Sequence, residues 1–215
     1  MRIRHFLRTA MFTLSVTTVA FGAAADVAGA QAFVEKEHGS VKKLVEAGAA
    51  QAEITKAIDG FVDYNALAQR TMGKPCPPSV PSCTNHWDTL TPEQQKEVTG
   101  LLRILVDKNY RKSLQKTKTY DVSYQGGKEA GENTSRIRTS AKSKEKPRDP
   151  AVQVDYVIIG TGSTYKVVDI VTEGSSMTKN YYDQFHRMFT TQGQGYPYLV
   201  QKLREKIAKK EKEGN

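Results

Sequence analysis

The sequence contains few of the residues from which catalytic and metal sites are usually built. It holds only two cysteines and four histidines in 215 residues. It lacks a G-x-S-x-G nucleophile motif, a phosphate-binding loop and any cluster of His, Cys, Asp and Glu at metal-ligand spacing. Gly160-Thr-Gly162 has the spacing of a tight strand connection, not of a dinucleotide-binding motif. The sequence therefore predicts a protein that is not an enzyme and needs no metal or chemical cofactor.

Two carboxylates leave one enzymatic alternative open. Asp155 and Asp169 fall on neighbouring predicted strands, and a carboxylate pair pointing into a pocket would allow general acid–base catalysis. Asp169 interrupts an apolar strand, a position where a carboxylate usually accepts structural hydrogen bonds. Ser175 and Ser176 separate a strand from a helix, so we interpret them as helix caps and not as nucleophiles.

The only two cysteines, Cys76 and Cys83, enclose a short loop with three prolines and two serines. In an exported protein a disulfide between them is the natural interpretation. Metal binding together with His86 is the alternative, but it lacks a second pair of ligands. The absence of a C-x-x-C motif argues against a redox role.

Long apolar runs are confined to the N-terminus, which is typical of a secretory signal. Residues 2–8 include three arginines, and residues 10–25 are mostly apolar or small. Small-residue cleavage sites end at Ala25 and at Ala30, and the choice between them stays open. A membrane anchor is the alternative, although the run is short and contains four hydroxyl side chains. We predict a signal peptide within residues 1–30, one domain over residues 31–210 and a charged tail at 211–215.

The net charge of +9 is partly set by the two ends of the chain. Such a charge suits a nucleic-acid-binding protein, but an exported protein rarely meets nucleic acid. We therefore predict no nucleic-acid partner.

Apolar periodicity places helices before and after a group of strands. Four strands joined by short links predict an antiparallel meander, and the class is therefore α+β with about six helices. The predicted helices are Phe33–Ala50, Ala52–Phe61, one capped by Asp63, one from Thr91 to about Leu114, one from Ser176 to Phe189 and one from Tyr196 or Pro197. The predicted strands are Thr119–Gln125, Asn133–Ser143, Ala151–Gly160 and Tyr165–Thr172.

Between Tyr165 and Phe189 a strand leads directly into an amphipathic helix. Met177, Tyr181, Phe185 and Met188 share one face of this helix at a period near 3.6. Such a helix folds back over its sheet and encloses either a closed core or a pocket. On composition alone, a closed core in a secreted interaction module is the simpler interpretation.

Four sequence blocks resemble the MlaC family, also known as the toluene-tolerance auxiliary component of an ABC transporter. The strongest runs from Asp169 to Phe185 and matches the family's strand, its E-G-x-S turn and its N-Y-R-x-x-F helix. The others are Asp63–Gly73, Trp87 with Leu90–Gln94, and Val154-Asp155-Tyr156. Three features depart from the family pattern: Tyr182 in place of an arginine, Tyr165 in place of a tryptophan, and the Cys76–Cys83 loop as an insertion.

The resemblance implies a periplasmic carrier that holds phospholipid acyl chains in an apolar pocket. It implies a curved antiparallel sheet wrapped by helices, similar to cystatin and to nuclear transport factor. The implied partners are phospholipid, an inner-membrane ABC transporter with its substrate-binding subunit, and an outer-membrane lipoprotein–porin complex. A related branch is associated with hopanoids, so a sterol-like cargo stays open as an alternative.

The apolar faces of the predicted elements supply the expected pocket lining. It comprises Leu101, Leu105 and Tyr110 from the long helix, Val154, Tyr156, Ile158, Val167 and Val171 from the last two strands, and Met177, Tyr181, Phe185 and Met188 from the following helix.

Overall fold

Six α-helices and five β-strands make up the described part of the chain, residues 26–117 and 119–213 of a computed structural model. The helices are α1 (Val27–Glu46), α2 (Gln51–Phe61), α3 (Tyr64–Thr71), α4 (Pro92–Thr117), α5 (Met177–Thr190) and α6 (Tyr196–Glu213). The strands are β1 (Tyr120–Gly131), β2 (Thr134–Ser143), β3 (Val152–Ile159), β4 (Lys166–Thr172) and β5 (Ser175–Ser176). Within those ranges, no helix has the length and apolar character that a membrane span requires.

The strands pair in chain order as an antiparallel sheet, so the predicted meander and the α+β class are confirmed. The predicted count of four strands is one too low. Glu173 and Gly174 adopt φ values of 49° and 77°, and this turn brings Ser175 and Ser176 back beside β4 as β5. Two polar residues carry no alternating apolar signal, and the sequence therefore gave no sign of this strand.

Capping side chains begin α3 and α4 where the sequence predicted. The Asp63 carboxylate accepts from the amide of Ala66 at 2.8 Å. Thr91 and Gln94 form a reciprocal capping box, with distances of 3.3 and 3.0 Å. These starts were predictable because a cap depends on residues only three positions apart.

Helix α1 begins at Val27 instead of the predicted Phe33 because Asp26 caps it. The Asp26 carboxylate accepts from the Gly29 amide at 2.8 Å and from the Tyr165 hydroxyl at 2.8 Å. Tyr165, at the position where the family has a tryptophan, thus ties the start of α1 to the entrance of β4.

Asp169 fixes the angle at which α5 leaves the sheet. One carboxylate oxygen accepts from the amides of Thr178 at 2.9 Å and Ile170 at 2.8 Å, and the other accepts from the Ser176 hydroxyl at 2.6 Å. Ser176 in turn caps α5 by accepting from the Lys179 amide at 3.0 Å. The predicted structural role of Asp169 and the predicted cap at Ser176 are both confirmed. Ser175 was also predicted to cap the helix, but it lies in β5 and its hydroxyl accepts from the Asn180 amide group at 2.8 Å.

The disulfide between Cys76 and Cys83 is present, as predicted. Its loop leads into Thr84, whose amide donates to the Tyr182 hydroxyl at 3.0 Å. Tyr182 is only 3% exposed and lies on α5. Tyr182, one departure from the family pattern, is therefore hydrogen-bonded to the residue that directly follows another departure, the Cys76–Cys83 loop.

Candidate functional site

A cavity of about 690 Å³ lies between the sheet and helices α4 and α5. Its volume falls within the range of roughly 300–1,000 Å³ that is usual for small-molecule sites. Its lining is mainly apolar or aromatic, with several amide and hydroxyl groups. The lining residues are His38, Val106, Asn109, Tyr110, Tyr120, Val122, Thr139, Ala141, Val152, Val154, Tyr156, Ile170, Thr172, Ser175, Met177, Asn180, Tyr181 and Gln184.

Strand register explains which sheet residues border the cavity. Val154 lies between Thr139 on β2 and Thr172 on β4, and Tyr156 pairs with Ile170. Directly opposed residues in an antiparallel sheet point to the same side, and alternate residues along one strand do so too. One face of the sheet therefore presents Val154, Tyr156 and their partners to the cavity.

Five of the twelve residues predicted to line a pocket border this cavity: Tyr110, Val154, Tyr156, Met177 and Tyr181. The other seven do not: Leu101, Leu105, Ile158, Val167, Val171, Phe185 and Met188. They belong to the packed core or to the opposite face of the sheet.

A bulge in β4 accounts for the errors in the sheet. Val157 pairs with Asp169, but the next residue, Ile158, pairs with Val167, so that β4 carries one extra residue. Val167 and Ile170 consequently face the same side although they are three positions apart. Val171 then faces away from the cavity, and Ile170 replaces it in the lining. Regular alternation had placed Val167 and Val171 together, which is the error that a one-residue shift produces.

Ile158 and Val167 face the helices but lie beyond the end of the cavity. Val167 forms a bridge with Val62, and its carbonyl accepts from the Asp63 amide at 3.0 Å. The chain between α2 and α3 therefore covers this end of the sheet. Ile158 is 1% exposed and Val167 is 4% exposed, so both belong to a closed core.

On the helices, the cavity face is rotated from the predicted apolar stripe. Helix α5 presents Met177, Asn180, Tyr181 and Gln184, at i, i+3, i+4 and i+7, while Phe185 is buried in the core. Asn180 and Gln184 were not predicted because they are polar and the predicted lining consisted of the apolar face of the helix. Their helical spacing relative to Met177 and Tyr181 was the available signal.

On α4 the contact begins one residue beyond Leu105, at Val106, and continues through Asn109 and Tyr110. Leu105 is fully buried. Leu101 on α4 and Met188 on α5 are partly buried, and both pack against the core. The wide apolar stripe of α4 therefore contacts the packed core along its first half and borders the cavity from Val106 onwards.

The sequence also matches the model of a known protein family. The family model described as MlaC protein matches residues 37–205. The chain belongs to the MlaC family. This confirms the resemblance that the sequence blocks indicated.

A solved structure has the same fold as this MlaC-family chain. It is a phospholipid-binding protein from Ralstonia solanacearum in complex with a phospholipid, with a TM-score of 0.65 and 22% sequence identity. The similarity covers 87% of this chain and 99% of that one. No curated protein matches the chain significantly.

The cavity of this chain contains a histidine that was not predicted from the sequence as a lining residue. His38 accepts or donates at both ring nitrogens, with Tyr156 Oη at 2.7 Å from Nε2 and Tyr124 Oη at 3.0 Å from Nδ1. Burial lowers the pKa of His38 from 6.5 to about 4, so the ring is neutral at pH 7. Among the described lining residues, none of the others is Asp, Glu, Lys or Arg. This described part of the wall therefore carries no net charge at neutral pH.

Tyr110 contributes a second buried polar group beside His38. The two rings are stacked with centroids 6.3 Å apart. Among the described residues, the Tyr110 hydroxyl has no hydrogen-bond partner, and burial raises its pKa well above 10. The region where α1, α4 and β3 meet therefore combines an apolar wall with one unsatisfied hydroxyl.

The two carboxylates of the acid–base alternative do not border the cavity. Asp155 pairs with Arg136, whose Nε donates at 2.6 Å, and it also accepts from Gln153 at 3.1 Å. Asp169 is occupied by the bonds that hold the start of α5. Across residues 26–117 and 119–213, no three His, Cys, Asp or Glu side chains are grouped to hold a metal ion. The arrangement suits binding of an apolar molecule better than it suits acid–base chemistry.

Proposed function

We propose that the protein is a periplasmic carrier that binds phospholipid acyl chains in the cavity between the sheet, α4 and α5. The observation that carries the proposal is a largely apolar cavity of about 690 Å³, with no charge among its described lining residues, in a chain that belongs to the MlaC family. The Ralstonia solanacearum protein with the same fold is a phospholipid complex, which supports the same class of cargo.

The energetics of lipid transfer require such a container. A diacyl lipid exposes about 30 methylenes to water, and burying each one is worth roughly 0.8 kcal/mol. A protein that moves lipid across an aqueous space must therefore cover the chains. Met177 and the tyrosines of the wall suit chains of variable shape, because methionine is flexible and aromatic rings supply large apolar surfaces.

Family membership supports a wider role in lipid transport. We propose that the carrier exchanges lipid with an inner-membrane ABC transporter through its substrate-binding subunit, and with an outer-membrane lipoprotein–porin complex. Such a carrier performs no covalent chemistry and takes lipid as cargo instead of as a cofactor. A predicted N-terminal signal would deliver it to the periplasm.

Two tryptophan substitutions test the position of the site. Val154→Trp places a large ring in the cavity, so we expect the folded protein to lose most of its co-purified lipid while its melting temperature stays close to wild type. Val167→Trp is the matched control in the closed core. It should overpack the site and cost about 1–3 kcal/mol of stability, with lipid per folded molecule unchanged.

Lipid is measured by mass spectrometry of organic extracts, which also identifies the head group or a hopanoid. If Val154→Trp keeps its full lipid load, the cavity is not the binding site. If the wild-type protein, purified without detergent, carries no lipid and takes up none from vesicles, the carrier function itself is refuted.

A further inference from the structure

A lysine on α6 lies directly against the α5 wall of the cavity. The Lys206 Nζ donates to Gln184 Oε1 at 2.7 Å and lies 5.2 Å from the centre of the Tyr181 ring. Gln184 and Tyr181 both line the cavity. The ammonium group is therefore one side chain away from the space that the proposed lipid would fill.

The two described contacts of Lys206 are both neutral. Three other cations of α4 and α6 face carboxylates: Lys202 pairs with Glu205, Arg204 with Glu97, and Lys108 with Glu211. Within the described part of the chain, Lys206 forms no such ion pair. Its side chain is half-buried, and burial together with the nearby Lys210 lowers its pKa.

A partly desolvated ammonium without an anion is unfavourable, and an amide oxygen and a ring face offset only part of that loss. An ammonium carries three donors, of which Gln184 takes one. Among the described residues, no anion accompanies Lys206.

A lipid bound in the cavity would supply the missing anion. Acyl chains suit the uncharged wall, but a phosphate does not, because a charged group loses its hydration in an apolar space. The phosphate must stay at the edge, where α5 carries its amides. Gln184 is held there from both ends, since its Nε2 donates to the Asn180 carbonyl at 2.9 Å while its Oε1 accepts from Lys206. The lysine is thus positioned before any ligand arrives.

We propose that Lys206 binds the phosphate group of the lipid at the edge of the cavity, on the side where α6 packs against α5. This proposal rests on the lipid-carrier function and specifies its substrate as a phosphate-bearing lipid. It also predicts that neutral lipids with the same acyl chains bind without help from Lys206.

The test compares two lipids that differ only in the phosphate-bearing head group, dioctanoylphosphatidylglycerol and dioctanoylglycerol. Lys206→Met keeps an unbranched apolar stem and removes the charge. We expect this variant to bind the phosphate-bearing lipid about tenfold more weakly, while its affinity for dioctanoylglycerol is unchanged. Lys202→Met is the control, because Lys202 lies on the same helix, pairs with Glu205 and makes no described contact with a cavity residue. It should change neither affinity.

The outcomes separate this proposal from the carrier function. If wild-type protein binds both lipids and Lys206→Met weakens neither or both equally, the phosphate site is refuted and the carrier function stands. If wild-type protein binds neither lipid, the carrier function fails with it. Inorganic phosphate alone is the third probe: if it binds with a dependence on Lys206 while the lipid does not, the lysine serves a free anion and the proposal is overturned.

Discussion

The space between the sheet and the helices is packed at one end and hollow at the other. At the packed end, Ile158 and Val167 contact a core that includes Ile58, Phe61 and Leu67, all of which are less than a tenth exposed. At the hollow end, residues of the same chemical kinds, including Val154 and Ile170, surround about 690 Å³ of space. The difference arises from coverage, because α2 and α3 cover the packed end whereas α4 and α5 flank the hollow one. Apolar composition therefore does not distinguish a core from a cavity.

The boundary between the two ends is narrow. Tyr110, Tyr156 and Ile170 border the large cavity and also a void of about 10 Å³ that is lined by Ile58 and Val167. A void of that size holds at most about one water-sized probe. A few aromatic and branched side chains thus separate space for a ligand from close-packed core, and three experiments test that separation.

The largest effect is expected at Leu105, which lies in the packed core although it was predicted to line the pocket. Leu105 is fully buried, so Leu105→Ala should lower the free energy of unfolding by about 2–5 kcal/mol. Lipid per folded molecule should stay the same. The neighbouring Ile104 is 41% exposed and provides a control, since Ile104→Ala should have little effect. Urea unfolding measures the stability, and a loss of lipid from folded Leu105→Ala would place the cavity boundary elsewhere.

An intermediate effect is expected from pH, through His38 at the hollow end. The pKa of His38 is lowered from 6.5 to about 4 on folding, so between these values the unfolded chain binds the proton and the folded one does not. The contribution of neutral His38 to the free energy of unfolding is therefore fully present above about pH 6.5. It is lost as the pH falls towards 4, and the loss amounts to about 1–3 kcal/mol.

Unfolding curves at pH 7, 5.5 and 4.5 measure this loss. His38→Gln should show a smaller decrease over the same range, because glutamine does not titrate. Equal decreases in both proteins would contradict the assignment to His38.

The smallest effect is expected from Tyr110→Phe. The Tyr110 hydroxyl is buried without a described partner, so its removal relieves an unsatisfied group instead of breaking a bond. We expect a change in stability within about 0.5 kcal/mol, or a slight gain. Tyr156→Phe is the comparison, because it removes the bond to His38 and should cost about 1 kcal/mol or more. A clear loss in Tyr110→Phe would reveal a partner for its hydroxyl.

How far the sequence predicts the structure depends on the range of each interaction. The starts of α3 and α4, and the role of Asp169, were predictable because they follow from caps and from a polar residue within an apolar strand. The β4 bulge was not, because the pairing of Ile158 with Val167 is set between strands and leaves no local signal. On α5 the cavity face mixes Met177 and Tyr181 with two amides, so the apolar stripe alone pointed to Phe185, which lies in the core.

The cap at Asp26 has a consequence for the maturation of the chain. Export would require removal of a leader, and the two candidate cleavage positions follow Ala25 and Ala30. A cut after Ala30 would remove Asp26, the partner of both the Gly29 amide and the Tyr165 hydroxyl, together with Ala30, which is fully buried. A cut after Ala25 would leave Asp26 as the first residue of the mature protein, with its carboxylate in place. Of the two predicted positions, only the one after Ala25 would therefore keep the contacts that begin α1.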